Sequence, residues 1–193
     1  MKNAKEVLLL ALCAILLVGA TIAGTVAYLT SQKTVTNTFT VGKVSITLTE
    51  KEINPQTGKK LDNATDVTEL QKIELVPSRI IEKNPVITVS DDSEECYLFV
   101  KIENGLLSAG AINGLTGWVS VSGNANTDSV SIYRYNTTVN ASAVIPVFET
   151  FTCDPDITEY DAALDGATIV ITAYAIQKEN LTADEAFAAL PLN

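Results

Sequence analysis

Three cysteines, a scatter of carboxylates and no histidine limit the chemistry open to this chain. Without an imidazole there is no usual general base, so histidine-dependent triads and zinc sites with histidine ligands are excluded. Cys153, within Phe151-Thr152-Cys153-Asp154-Pro155-Asp156, lacks the partner that would make it a thiolate nucleophile. The carboxylate pairs Asp91-Asp92 and Glu94-Glu95 are sequence neighbours, and acid-base work would need them held across a cleft. That cluster, or Asp154, Asp156, Asp161 and Asp165, offers the oxygen ligands that calcium takes, but neither has the spacing and central glycine of an EF-hand loop. Cys96 and Cys153 cannot close a zinc site by themselves. Serine and threonine fall mostly in alternating or turn patterns, where the β-branch accounts for the threonines. The expectation is a chain with no catalytic, cofactor-binding or metal-binding residues, and so not an enzyme.

The segment that must place the rest is the leader. Lys2 and Lys5 precede an apolar run from Val7 to Val18, which ends among the small residues Ala20, Ala23, Gly24 and Ala27. Positive residues, an apolar segment and a small-residue exit are the three parts of a secretory signal. The expected cut lies between Ala27 and Tyr28, leaving residues 28–193 as a single domain. The apolar run is also long enough to stay as an uncleaved membrane anchor. Cys13 sits inside it, after the bulky Leu12, which argues against lipid attachment. Cys96 and Cys153 remain beyond it. They admit two readings: a disulfide, worth about 3 to 5 kcal/mol in the loop-entropy account, or two buried thiols. The formal net charge of −10 disfavours nucleic acid and anionic lipid as partners, because both are bound through basic patches. Contact with a membrane is expected only through the leader.

Beyond the leader, period-two alternation dominates. Val35, Phe39 and Val41 share one parity, with Asn37 the polar exception, while Val44, Ile46 and Leu48 take the other. The phase change at Gly42-Lys43 predicts a bulge or bend, so that Thr34 to Val41 is separable from the strand Val44 to Glu50. Lys51 to Leu70 is polar, with turn signals at Asn54-Pro55 and Thr57-Gly58, and reads as an exposed excursion. Further strands are predicted at Lys72 to Val76, Val86 to Ser90, Cys96 to Glu103, Trp118 to Val121, Val130 to Tyr135, Val144 to Cys153 and Ala167 to Ile176. Asn104 to Gly117 and Ser122 to Ser129 read as loops. Thr182-Ala183-Asp184-Glu185 is a capping box for a short helix that Pro191 stops. Short strands joined by turns predict an all-β antiparallel sandwich or barrel with a short C-terminal helix, behind an N-terminal signal helix.

Gly24-Thr25-Val26-Ala27-Tyr28-Leu29-Thr30, followed by Asn37-Thr38-Phe39-Thr40-Val41-Gly42-Lys43-Val44, resembles the N-terminus of the TasA/camelysin family of Gram-positive bacteria. Leu75-Val76-Pro77-Ser78, Glu82-Lys83-Asn84-Pro85-Val86 and Ser93-Glu94-Glu95-Cys96-Tyr97-Leu98-Phe99-Val100-Lys101 are similar to the body of those proteins. The resemblance covers Lys2 to about Glu103 and thins afterwards. It implies a jelly-roll-like β-sandwich, export by a SipW-like signal peptidase, and for many members a place in biofilm matrix fibres. Camelysin-type relatives have been described as metalloproteases, but no His-Glu-x-x-His motif is present to carry that activity over. The chain departs from the matrix proteins of the family in being shorter and in carrying Cys96 and Cys153.

Two functions are therefore expected in competition. One is a secreted subunit of extracellular matrix fibres, in which Tyr28 to Val41 leaves its own fold and completes a sheet of the next subunit. Val35, Phe39 and Val41 would then fill a groove, with self-association and other matrix proteins as partners. The alternative is a monomeric cell-surface adhesin, membrane-tethered by an uncleaved leader, presenting the loops Asn104 to Gly117 and Ser122 to Ser129 with Trp118 as an anchor.

Overall fold

The computed structural model describes residues 43–67, 71, 73–157, 164 and 166–192. The chain divides into two units, Met1–Phe39 and Thr40–Asn193, and the described residues belong to the second. The expected signal helix, the cleavage pair Ala27 and Tyr28, and the donor residues Val35, Phe39 and Val41 lie outside the described residues.

The architecture is the all-β antiparallel sandwich that alternation predicts, with one short C-terminal helix. In chain order the strands are β1 (Ile46–Lys51), β2 (Asp66–Val67), β3 (Ile80–Ile81), β4 (Val86–Val89), β5 (Cys96–Asn104), β6 (Gly110–Asn113), β7 (Trp118–Ser122), β8 (Val130–Tyr135), β9 (Val144–Pro146), β10 (Thr150–Cys153) and β11 (Ile169–Gln177), followed by helix α1 (Ala183–Ala188). They form three sheets, ordered β2-β1-β4-β9, β3-β10-β6 and β11-β5-β8-β7. A single core draws on all three: Ile87 and Val89 from the first, Ile81, Ile112 and Phe151 from the second, and Leu98, Val100 and Ile102 from the third.

β5 is the axis of the molecule. Its even-numbered side chains Leu98, Val100 and Ile102 are wholly buried in the core, and Phe99 on the opposite face is wholly buried as well. α1 covers that second face. Phe187 lies 6.1 Å from the Phe99 ring, and Ala186, Leu190 and Ile176 complete a separate small cluster. The expected capping box starts the helix: Thr182 Oγ1 accepts from the Glu185 N–H while a Glu185 carboxylate oxygen accepts from the Thr182 N–H. This satisfies two of the amide donors that every helix leaves free at its start.

Several sequence expectations need correction. The run Val144 to Cys153 is two strands in different sheets, because Val147 and Phe148 are consecutive and both fully buried. Two adjacent core side chains break the period of two, and the chain crosses from β4's sheet to β6's. Residues 73–76 of the expected strand Lys72 to Val76 form none. The excursion after β1 is anchored, since Ile53 is 3% exposed and bridges to Lys60. Within the expected loop Asn104 to Gly117 lies β6, which pairs with β10 so closely at Gly110 that a Cβ there would stand 2.2 Å from the Thr152 carbonyl oxygen. Only glycine permits that approach.

Two substitutions separate core filling from polar satisfaction. Phe148 is wholly buried, and Phe148→Ala is expected to cost about 3 to 5 kcal/mol. Ser131 is also wholly buried, and its Oγ has no hydrogen-bond partner among the described residues. Ser131→Ala is expected to raise stability by about 1 kcal/mol. Chemical denaturation of both variants checks the contrast in sign.

Candidate functional site

The expected chemistry can be placed first. Cys96 opens β5 and Cys153 closes β10, in different sheets, and both are free and buried thiols. Burial and the Glu95 carboxylate next to it push the Cys96 thiol up to about 11. Burial raises Cys153 as well, partly offset by a hydrogen bond to Val76 and by the charge of Arg79. Among the described residues no group of three or more metal-ligating side chains gathers. No helix among them is long and apolar enough to cross a membrane.

Trp118 is not a surface anchor. It is 7% exposed, its ring stands edge-on to Tyr135 at 5.3 Å, and its indole N–H donates to the Pro146 carbonyl at 2.9 Å. The contact joins β7 to β9 across two sheets. The expected loop Ser122 to Ser129 is braced in the same manner. Buried Asn104 donates to the Ala125 carbonyl at 2.7 Å, the Ala125 N–H donates to the Tyr133 hydroxyl at 2.9 Å, and Asn126 bonds Ile112 through both halves of its amide.

Glu95 organises one end of the large sheet. Its carboxylate accepts from Thr138 and, at 2.9 and 3.0 Å, from the Lys178 ammonium, while its carbonyl accepts from the Lys178 N–H. The Thr138 hydrogen bond and then the Lys178 bond hold the Glu95 carboxyl below its ordinary value. Beside it lies an open depression of about 560 Å³, walled mainly by Glu94, Glu95, Glu179 and Glu185 around Lys178. Lys178 bonds Glu95, Gln177 bonds Glu179 and Thr182 bonds Glu185 within it, which ties the strand end to the start of the helix.

The feature that stands apart is a sheet edge. Edge strands expose unpaired backbone groups, and folded proteins ordinarily blunt them. β2 and β3 have two residues each and β9 ends at Pro146. At β6, Asn126 occupies the backbone groups of Ile112, and β7 bulges between Ser120 and Ser122. β11 has none of these devices: Ile169-Val170-Ile171-Thr172-Ala173-Tyr174-Ala175-Ile176-Gln177 contains no charge, no proline and no glycine.

Its core side is also incompletely covered. Ile171, Ala173 and Ala175 pair with Ile102, Val100 and Leu98. The β5 partners are wholly buried, whereas Ile169, Ile171, Ala173 and Ala175 are half-buried although packed on the core. The same holds for β1, where Ile46 and Leu48 are half-buried opposite the buried Val89 and Ile87. β1 and β11 touch, so a strip of core lies partly open along the seam between them. Sequence reasoning located both strands and missed the edge, because the order of strands in a sheet is not a local property. The usable signal was negative: nine residues without a gatekeeping charge or proline.

The class these features define is an antiparallel β-sandwich in which, among the described residues, β11 is a strand-length edge without a guard. Comparison with protein-family models, with curated proteins and with solved structures finds no match to the chain.

Two outcomes follow. A maleimide reagent at neutral pH is expected to leave Cys96 and Cys153 unmodified in the folded domain and to label both in denaturant, as read by intact mass. Because the Glu95 carboxyl is lowered from an ordinary value of 4.5, its contribution is full above that pH and is lost as pH falls through the folded value. Glu95→Gln is therefore expected to be less stable than wild type above pH 4.5, with the difference closing on further acidification in a pH series of thermal melts.

Proposed function

We propose that this chain is a secreted structural protein, a non-catalytic subunit of extracellular matrix fibres assembled by donor-strand exchange. The observation that carries this reading is the half-covered core row along β1 and β11, a groove of the kind that an added strand completes. Tyr28 to Val41, exposed as a new N-terminus after a SipW-like peptidase cuts between Ala27 and Tyr28, is the proposed donor. Val35, Phe39 and Val41 are its filling side chains. Donor and acceptor are different surfaces, so the contact is head-to-tail and open-ended, which gives a filament. The adhesin alternative has less support here, because Trp118 is buried and the loop Ser122 to Ser129 is tied by hydrogen bonds to Asn104 and Tyr133.

The test begins with N-terminal sequencing of exported material, expected to start at Tyr28. Purified mature chain is expected to form concentration-dependent polymers by light scattering and electron microscopy. The same chain lacking Tyr28 to Val41 is expected to remain monomeric with an almost unchanged melting temperature. Equal fibre formation by the shortened chain would rule the mechanism out.

A further inference from the structure

We infer that Gln71 and Lys83 form a self-modification site, at which the chain joins the two side chains through an amide bond with Glu50 as the proton carrier. The site lies within one domain, and nothing in it depends on the fibre reading above.

β1 places the carboxylate. Ile46 and Leu48 pack on the core, and Glu50, next in the same period-two row of the strand, continues that row toward the core side. Two side chains meet it there. Lys83, just ahead of β4, donates to Glu50 Oε2 at 2.6 Å, and Gln71 Nε2 donates to the same oxygen at 3.4 Å. The main chain holds the rest of the carboxamide: Nε2 also donates to the Lys51 carbonyl at 3.1 Å, and Oε1 accepts from the Ile53 N–H at 2.9 Å. One backbone acceptor and one backbone donor fix which end of the amide is which.

An amine, a carboxylate and a carboxamide are thus gathered in a part-buried place, where the Lys83 and Glu50 side chains are only 13% and 18% exposed. The pairs Lys51–Asp66, Lys59–Glu82 and Lys178–Glu95 leave both partners far more open, and among the described residues none of their carboxylates carries a carboxamide. Gln177 donates to Glu179, but at the surface, and Lys178 beside it bonds Glu95 instead. An ion pair alone accounts for the Lys83 bond. A carboxamide clamped by the main chain, with its leaving nitrogen on the same carboxylate oxygen and an N–H on its carbonyl, is the arrangement that amide exchange requires.

The step balances without an outside reagent. Glu50 takes a proton from the Lys83 ammonium, and the freed amine attacks Cδ of Gln71 while the carbonyl electron pair moves onto Oε1, where the Ile53 N–H stabilises the charge. Glu50 returns its proton to Nε2, the Cδ–Nε2 bond breaks and the carbonyl re-forms. The former Lys83 Nζ then passes its surplus proton through Glu50 to the departing ammonia. An ammonium and a carboxamide become a secondary amide and an ammonium ion, and Glu50 ends as the carboxylate it began as. The reaction occurs once per molecule and is not turnover. Its product ties the excursion after β1 to the approach to β4.

Intact mass of the exported mature chain, its start fixed by N-terminal sequencing, tests the site. The chain is expected to be lighter than its sequence by one ammonia, and a tryptic digest to yield a branched peptide joining Gln71 to an uncleaved Lys83. Lys83→Arg keeps the ion pair without the nucleophile, and Glu50→Gln keeps a hydrogen-bonding side chain without the proton carrier; both are expected at full mass. A wild-type chain that stays at full mass after prolonged incubation overturns the inference. So does a deficit that either variant retains, or one that fragmentation places at Asn104-Gly105 or Asn113-Gly114, where succinimide formation also expels ammonia. Should Glu50→Gln fail to fold, Lys83→Arg and the branched peptide decide. None of these readings touches polymer formation, so this inference and the fibre reading fail separately.

Discussion

The ladder between β5 and β11 is the constraint on which the rest of the structure depends. It runs unbroken from Asn104 opposite Ile169 to Cys96 opposite Gln177, and on its other side β5 bonds β8. Fixing β5 in the interior of its sheet sends Leu98, Val100 and Ile102 into the shared core and Phe99 to the face that α1 covers. A shift of one residue would exchange those faces, placing Lys101 and Glu103 in the core and the aliphatic row under the helix. The register is held at one end by Glu95 with Lys178 and Thr138 and at the other by Asn104, which bonds Ser129, Ala125 and Leu106. With both ends pinned, the parity of β11 is set, and with it the groups left at the edge.

The local parts of this arrangement were legible in the sequence and the long-range parts were not. Strict alternation in Cys96 to Glu103 reports a half-buried strand whatever its partners are, and the helix start is written in Thr182 and Glu185. β6 escaped detection because Gly110-Ala111-Ile112-Asn113 has little β-propensity of its own. It is a strand because β10 and the Asn126 amide bond it from both sides. Trp118 likewise reads as an exposed aromatic in a glycine-rich context, until Pro146, 28 positions further on, supplies the acceptor for its indole. The crossing between β9 and β10 was hidden for a related reason. Val144 to Cys153 is apolar enough to be one strand, and only the burial of both Val147 and Phe148 shows that it leaves one sheet for another.

The candidate site belongs wholly to the second kind of information. No stretch of sequence states that β11 lies at the end of a sheet, while Ala167 to Ile176 reads as an ordinary apolar strand. What could be read was the lack of protection: nine residues without lysine, glutamate, proline or a bulge, where the other end strands among the described residues are shortened, bulged, ended by proline or occupied by a side-chain amide. Among the described residues β11 is the end strand without such a device, and Ile46 to Thr49 of β1 is a shorter stretch that β2 leaves unpaired. The contrast within one molecule carries more weight than the bareness of β11 by itself.

An exposed edge and a large negative charge are compatible because they act over different distances. At physiological salt, charges on two copies screen one another beyond about 8 Å, so the net charge of −10 opposes close, unspecific contact more than distant encounter. A strand added to β11 must come within about 5 Å of it, well inside that range, and any acidic surface brought to the same spot would be repelled. The proposed donor escapes because Thr34 to Val41 is neutral, as is the edge it would meet. Charge elsewhere on the molecule then acts as a filter, so that in the proposed fibre a neutral donor segment has little repulsion to overcome.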